Sequence, residues 1–179
     1  MNSPIHITDD EAARFRARTA AHIASVNYFA NLIGLSFPDH DASKFKEPEH
    51  DAYVVYSRRF GDNPIPPTEA EAAAARAAKR HHWTTNPHHA QFYADVSEMP
   101  EIRMIEMACD LSAVNKEANM KRYGGKGDEY SSATDYLERV SFRDFAFTIV
   151  QADFLRMTAA RLERLFRAAD FAKIWRGQR

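Results

Sequence analysis

Apolar residues recur at intervals of three and four along most of the chain, the spacing that places them on one face of an α-helix. Two predicted helices follow a Thr-x-x-Glu capping box, at Thr8 with Glu11 and at Thr68 with Glu71. The pattern predicts helices at about 9–34, 48–59, 70–83, 100–119, 133–139 and 142–169. No segment alternates as a strand does, so the sequence predicts an all-α fold, a compact helical bundle of about six helices.

The chain has 179 residues and a formal charge of -1. We therefore expect one domain over 1–179 and no field that would attract nucleic acid or an anionic membrane. No apolar stretch approaches the ~20 residues of a membrane-spanning helix. Cys109 is the only cysteine, and the first 30 residues mix charges throughout. These features predict a cytoplasmic protein without a membrane segment.

Histidines are concentrated in one part of the chain, with seven of the eight between His22 and His89. His40 and Asp41 form a doublet in an irregular segment before a helix, where side chains converge more freely than along one helix face. Imidazole nitrogens and carboxylate oxygens together suit Fe, Mn, Zn, Co or Ni. His22 lies among apolar neighbours on the first helix, either as a core histidine or as a further ligand.

Two more groups of candidate ligands lie downstream of the His40-Asp41 doublet. Glu106 and Asp110 share one face of an apolar helix, where a buried carboxylate needs a cation, a metal or a shifted pKa. The segment 81–89 carries the pairs His81-His82 and His88-His89, a density that helix packing does not explain. One histidine of each pair could ligate an ion while its neighbour contacts the substrate or a supporting carboxylate.

In chain order, His22, His40-Asp41, the two histidine pairs and Asp110 resemble the HD-domain superfamily of metal-dependent phosphohydrolases. The strings His-Asp-Ala-Ser-Lys-Phe, His-Trp-Thr-Thr-Asn-Pro-His-His and Glu-Met-Ala-Cys-Asp are similar to those of a bacterial and phage family of unknown function. That similarity spans about 18–113. Residues 114–179 are predicted from pattern alone to complete the bundle.

The resemblance implies a role for each residue. One divalent ion would be held by His22, His40, Asp41 and Asp110, and a second by His82 and His88, with His81 and His89 as alternates. The choice within each pair rests on the resemblance, since helix geometry separates the neighbours only slightly. The predicted catalytic side chains are Lys44, Arg18 and Glu106, of which the first two would neutralise a phosphate.

The sequence thus predicts a metal-dependent phosphohydrolase that acts on a nucleotide or another small phosphoester through metal-activated water. Two alternatives stay open: a di-iron oxygenase of the myo-inositol oxygenase kind, and a non-enzymatic module with a structural metal site. Candidate ligands outnumber the four of a structural site and include no cysteine, which favours an open, catalytic site. The glycine-rich loop at 123–128 is predicted to be a mobile lid over an anionic substrate.

Overall fold

The computed structural model describes residues 5–60, 65–123 and 132–177, and all the regular structure in these ranges is helical. The α-helices are α1 (Asp9–Asn31), α2 (His50–Ser57), α3 (Glu69–Thr85), α4 (Glu101–Tyr123), α5 (Ala133–Tyr136), α6 (Phe142–Asp144) and α7 (Ile149–Gly177). A π-turn at Leu137–Ser141 joins α5 to α6, so these two form one helical segment. The prediction of an all-α chain with about six helices is confirmed.

The starts of α1 and α3 follow the two predicted capping boxes. The Thr8 amide donates to Glu11 Oε2 at 2.8 Å and the Glu11 amide to Thr8 Oγ1 at 3.2 Å. Thr68 and Glu71 repeat this exchange, with distances of 2.8 and 3.3 Å. Each box satisfies backbone N–H groups that a helix start leaves without an intrahelical acceptor.

The chain divides into two compact units, and the first comprises the residues up to Ile23 together with Asp39–Phe92. Its apolar core contains Ala12, Phe15 and Val54, and α2 packs against α3. Arg58 links two helix starts, donating to Glu11 Oε1 and to Glu71 Oε1 at 2.7 Å each. This unit holds all the predicted histidine ligands.

The second unit comprises Ala24–Pro38 and Tyr93–Arg179. It has the larger apolar core, in which α4 packs against α7 through fully buried residues that include Leu155 and Leu162. The buried Gln151 amide donates to the carbonyls of Val96 and Ser97, at 3.0 and 3.1 Å. That side chain ties α7 to the segment before α4.

The long C-terminal helix does not begin at Phe142, as the sequence pattern predicted, but at Ile149. Phe142–Asp144 ends the preceding helical segment, and Phe145 is extended. The break has a local cause, because the Thr148 amide donates to Gln151 Oε1 and the Gln151 amide to Thr148 Oγ1. This Thr-x-x-Gln capping box fixes a new helix start.

Among the described helices, none combines the length and apolar character that a membrane crossing requires. The predicted lid at 123–128 falls almost entirely on residues outside the described ranges. The expectation of one domain over 1–179 stays a prediction.

Candidate metal centre

Four segments of the first unit carry the predicted histidine ligands. His22 lies on α1, the His40-Asp41 doublet precedes a 3-10 turn at Ala42–Phe45, and His82 lies in the last turn of α3. The chain then turns at Asn86, whose backbone is extended, and returns with His88 and His89. The group formed by His22, His40, Asp41, His82, His88 and His89 is referred to below as the Asp41 cluster.

Asp41 lies at the centre of this cluster and is 1% exposed. Its Oδ1 lies 3.0 Å from His82 Nε2 and 3.7 Å from His88 Nε2. Its Oδ2 lies 3.6 Å from His22 Nε2 and 3.8 Å from His40 Nε2. Four imidazole nitrogens from four segments therefore approach one buried carboxylate.

The backbone at Asp41 is left-handed, with φ 58° and ψ 12°. Few residues other than glycine adopt this conformation, although aspartate and asparagine tolerate it better than most. It turns the chain into the 3-10 turn, in which the Lys44 amide donates to the Asp41 carbonyl at 3.0 Å. The local fold thus places the doublet and Lys44 on one tight turn.

Lys44 is the charged partner of Asp41, with Nζ 2.5 Å from Oδ2. Burial would raise the pKa of the Asp41 carboxyl, but the Lys44 ammonium, together with His82 and His40, holds that pKa well below its usual range. Asp41 is therefore ionised at neutral pH. The Lys44 side chain is 21% exposed, whereas the Asp41 side chain is 2% exposed.

Two sets of three side chains in the cluster have ligand atoms within 4.8 Å of one another: His40 with Asp41 and His88, and His82 with His88 and His89. Ligand atoms at 2.0–2.2 Å from one ion lie at most about 4.4 Å apart, so each set is close to the spacing of a metal shell. His88 belongs to both sets. The five predicted ligands that lie in this unit and the alternate His89 are thus close together.

The alternate His81 has a different partner. Its Nδ1 lies 2.8 Å from Oε1 of Glu49, whose other oxygen, Oε2, lies 3.0 Å from His82 Nδ1. Burial would raise the pKa of Glu49, but hydrogen bonds from His82 and His81 lower it. Burial would lower the pKa of His82, but hydrogen bonds with Asp41 and Glu49 raise that pKa above its usual value.

Glu49 is a residue that the sequence reasoning missed. It is 0% exposed and precedes the buried Ala52 of α2 by three positions. Side chains three apart lie on one side of a helix, so the same pattern that buries Ala52 turns Glu49 inwards. That spacing is the signal that could have identified it.

Glu47, His50 and Asp51 form a further group whose ligand atoms lie within 4.8 Å of one another. His50 Nδ1 lies 2.8 Å from Asp51 Oδ1, and Arg16 Nε donates to His50 Nε2 at 3.3 Å. Both nitrogens of His50 are therefore engaged, and the Arg16 guanidinium supplies a positive charge to this group. This arrangement is a surface network and fits a metal poorly.

The Asp41 cluster lies within a region of the chain that matches a protein family. A model described as Family of unknown function (DUF5662) matches residues 11–159, which is most of the chain. The chain belongs to that family. No curated protein and no solved structure matches it. The DUF5662 match confirms the coarser part of the predicted resemblance, a family of unknown function, and extends well beyond 18–113. It does not name the HD superfamily, which stays a prediction.

The DUF5662 match also covers the two predicted acidic residues of α4, which lie in the second unit. Glu106 is buried and accepts a hydrogen bond from Arg103 Nη1 at 2.7 Å. Arg103 is therefore a cation that compensates this carboxylate. Asp110 is half-buried. Burial of Cys109, together with the neighbouring charges of Glu106 and Asp110, raises the pKa of the Cys109 thiol to about 12. Ligation by Asp110 and catalysis by Glu106 stay predictions.

Arg18 lies on α1, one turn before His22, and is half-buried. Positions four apart share a helix face, so Arg18 lies on the same side of α1 as that ligand candidate. Its predicted role as a phosphate clamp stays a prediction.

Proposed function

We propose that this protein is a metal-dependent phosphohydrolase whose centre is the Asp41 cluster and whose substrate is a nucleotide or another small phosphoester. The observation that carries the proposal is one ionised, buried carboxylate with four imidazole nitrogens within 3.8 Å of its oxygens. Such a mixture of nitrogen and oxygen donors suits Fe, Mn, Zn, Co or Ni.

The donor set fits one or two divalent ions. His40, Asp41 and His88 would hold one, and His82, with His88 or His89, the other. A divalent ion held there would polarise a phosphoryl oxygen and lower the pKa of bound water. Six candidate ligands in one unit exceed the four of a closed structural site, which supports an open position for substrate.

Lys44 supplies the feature that favours an anionic substrate. Its ammonium contacts Asp41, and its side chain is partly exposed, so a cation of the cluster belongs to a side chain that solvent reaches. A phosphate that approaches the cluster meets this positive charge, which orients the phosphate and neutralises part of its charge. The HD-like order of the ligands, from His22 to Asp110, supports the same reaction class by resemblance.

The test is metal content measured together with phosphate release from a panel of nucleotides, for the wild type and for Asp41→Asn. Asparagine keeps the shape and tolerates the left-handed backbone, but it removes the charge. We expect the wild type to bind metal and release phosphate, and Asp41→Asn to do neither. Asp51→Asn, which removes a carboxylate outside the cluster, is the matched control and is expected to behave as the wild type.

Two results would contradict the proposal. Full metal content and turnover in Asp41→Asn would remove Asp41 from the centre. A mixed-valence iron signal in electron paramagnetic resonance, without phosphate release from any nucleotide, would assign the cluster to a di-iron oxygenase instead.

A further inference from the structure

Glu49 is a buried carboxylate that accepts hydrogen bonds from three neighbours. His81 Nδ1 lies 2.8 Å from Oε1, while His82 Nδ1 and Ser43 Oγ lie 3.0 and 2.9 Å from Oε2. A buried charge of this kind is costly unless donors surround it, and each of these neighbours can donate. The carboxylate is therefore built into the structure as an acceptor.

The direction of the bond to His82 follows from the charge on Glu49. His82 Nδ1 also lies 3.1 Å from Ser43 Oγ and 3.1 Å from Asn86 Nδ2, so three neighbours approach this nitrogen. The nearest of them, Glu49 Oε2 at 3.0 Å, belongs to an ionised carboxylate, which only accepts hydrogen bonds. If Nδ1 carried no hydrogen, its lone pair would face that oxygen with no hydrogen between them. His82 Nδ1 must therefore carry a hydrogen and donate it to Glu49.

The opposite ring nitrogen faces the cluster. His82 Nε2 lies 3.0 Å from Asp41 Oδ1, and the ring centroid lies 5.7 Å from that of His88. A histidine whose Nδ1–H is held by a carboxylate presents its Nε2 lone pair in a fixed direction. Here that direction is towards Asp41 and His88.

We propose that Glu49 is the positioning residue of the metal centre, fixing the ring and the tautomer of His82 so that Nε2 is the ligand atom. This inference rests on the metal-binding part of the proposed function and does not depend on the substrate. Ser43 and Asn86 complete the arrangement, because their hydrogen bonds hold the Glu49 carboxylate and the end of α3 in place. Without the carboxylate, either nitrogen of His82 could carry the hydrogen.

The test is the affinity for Co²⁺, followed through its visible absorption, in the wild type, Glu49→Gln and Glu47→Gln. Carboxylates that support a ligating histidine typically contribute 10–100-fold to metal affinity, so Glu49→Gln should bind Co²⁺ about 10–100-fold more weakly. Glu47→Gln makes the same chemical change two residues away on an exposed side chain, and it should bind as the wild type does. Equal affinity in Glu49→Gln and the wild type would overturn the inference.

A second measurement uses the wild type, so it holds even where Glu49→Gln fails to fold. Nitrogen-15 chemical shifts of the Zn²⁺-loaded protein report which nitrogen of His82 carries the hydrogen. We expect a protonated Nδ1 and a ligating Nε2. The reverse assignment would overturn this inference but would leave the proposed function standing. A wild type that binds neither Co²⁺ nor Zn²⁺ would instead overturn the proposed function and this inference with it.

Discussion

Replacing Asp41 by alanine and by glycine separates the contribution of its carboxylate from that of its left-handed backbone. Both variants lose the same contacts with Lys44 and His82, so those losses cancel when the two are compared. A left-handed backbone costs alanine about 1–2 kcal/mol and glycine almost nothing. The greater freedom of glycine in the unfolded chain offsets roughly 0.4–1 kcal/mol of that advantage. The metal-free glycine variant should therefore be more stable by about 1 kcal/mol.

The assay is urea denaturation, first with a chelator and then with excess Mn²⁺ or Zn²⁺. Metal at 100 times its dissociation constant stabilises a folded protein by about 2.7 kcal/mol. We expect this gain in the wild type and in neither Asp41 variant. An alanine variant as stable as the glycine variant would refute the backbone argument, and a metal-dependent gain in either would refute the role of the carboxylate.

Three further predictions concern the cluster and the scaffold. Because His88 belongs to both ligand sets, His88→Ala should lower the metal-to-protein ratio in elemental analysis more than His89→Ala, and equal ratios would contradict the shared role. Hydrogen bonds from Arg58 and from the Thr8 amide lower the pKa of Glu11 from 4.5 to about 2, so these contacts stabilise the fold above pH 4.5 and their contribution is lost as the pH falls towards 2. In urea denaturation at neutral pH, Glu11→Gln should have a lower free energy of unfolding than the wild type. This difference should shrink as the pH falls from 4.5 to about 2. A difference that stays constant over this interval would show that the charge of Glu11 does not contribute to stability. Gln151→Ala leaves buried carbonyls without their donor and should lower the free energy of unfolding by about 1–3 kcal/mol, whereas no change in the urea midpoint would show that water replaces the amide.

Local sequence signals predict the starts of α1 and α3. Thr8 with Glu11 and Thr68 with Glu71 are capping boxes in sequence and in structure, because the motif acts over a single turn. The Thr-x-x-Gln at 148–151 is the same kind of signal for the start of α7, but the apolar spacing predicts a start at Phe142. The helical spacing of apolar residues continues across the break, and periodicity alone cannot detect it.

The site was predictable in its residue types and less so in its contacts. The His40-Asp41 doublet and the histidine pairs mark the cluster because such residues are rarely concentrated without a role. Which member of the pair at 81–82 faces Asp41 depends on a rotation of about 100° between neighbours on α3. Glu49 escaped notice because a lone glutamate near a helix start is ordinarily a surface residue, and only the fold shows it buried beneath two histidines.

The most direct test of the metal centre is anomalous diffraction from crystals of the protein grown with Mn²⁺ or Zn²⁺. We expect an anomalous peak inside the Asp41 cluster, with the Asp41 carboxylate and ring nitrogens of His40 and His88 at about 2.0–2.2 Å from it. A metal-saturated protein with no peak there, or with its only peak at Glu47, His50 and Asp51, would show that the Asp41 cluster is not a metal centre.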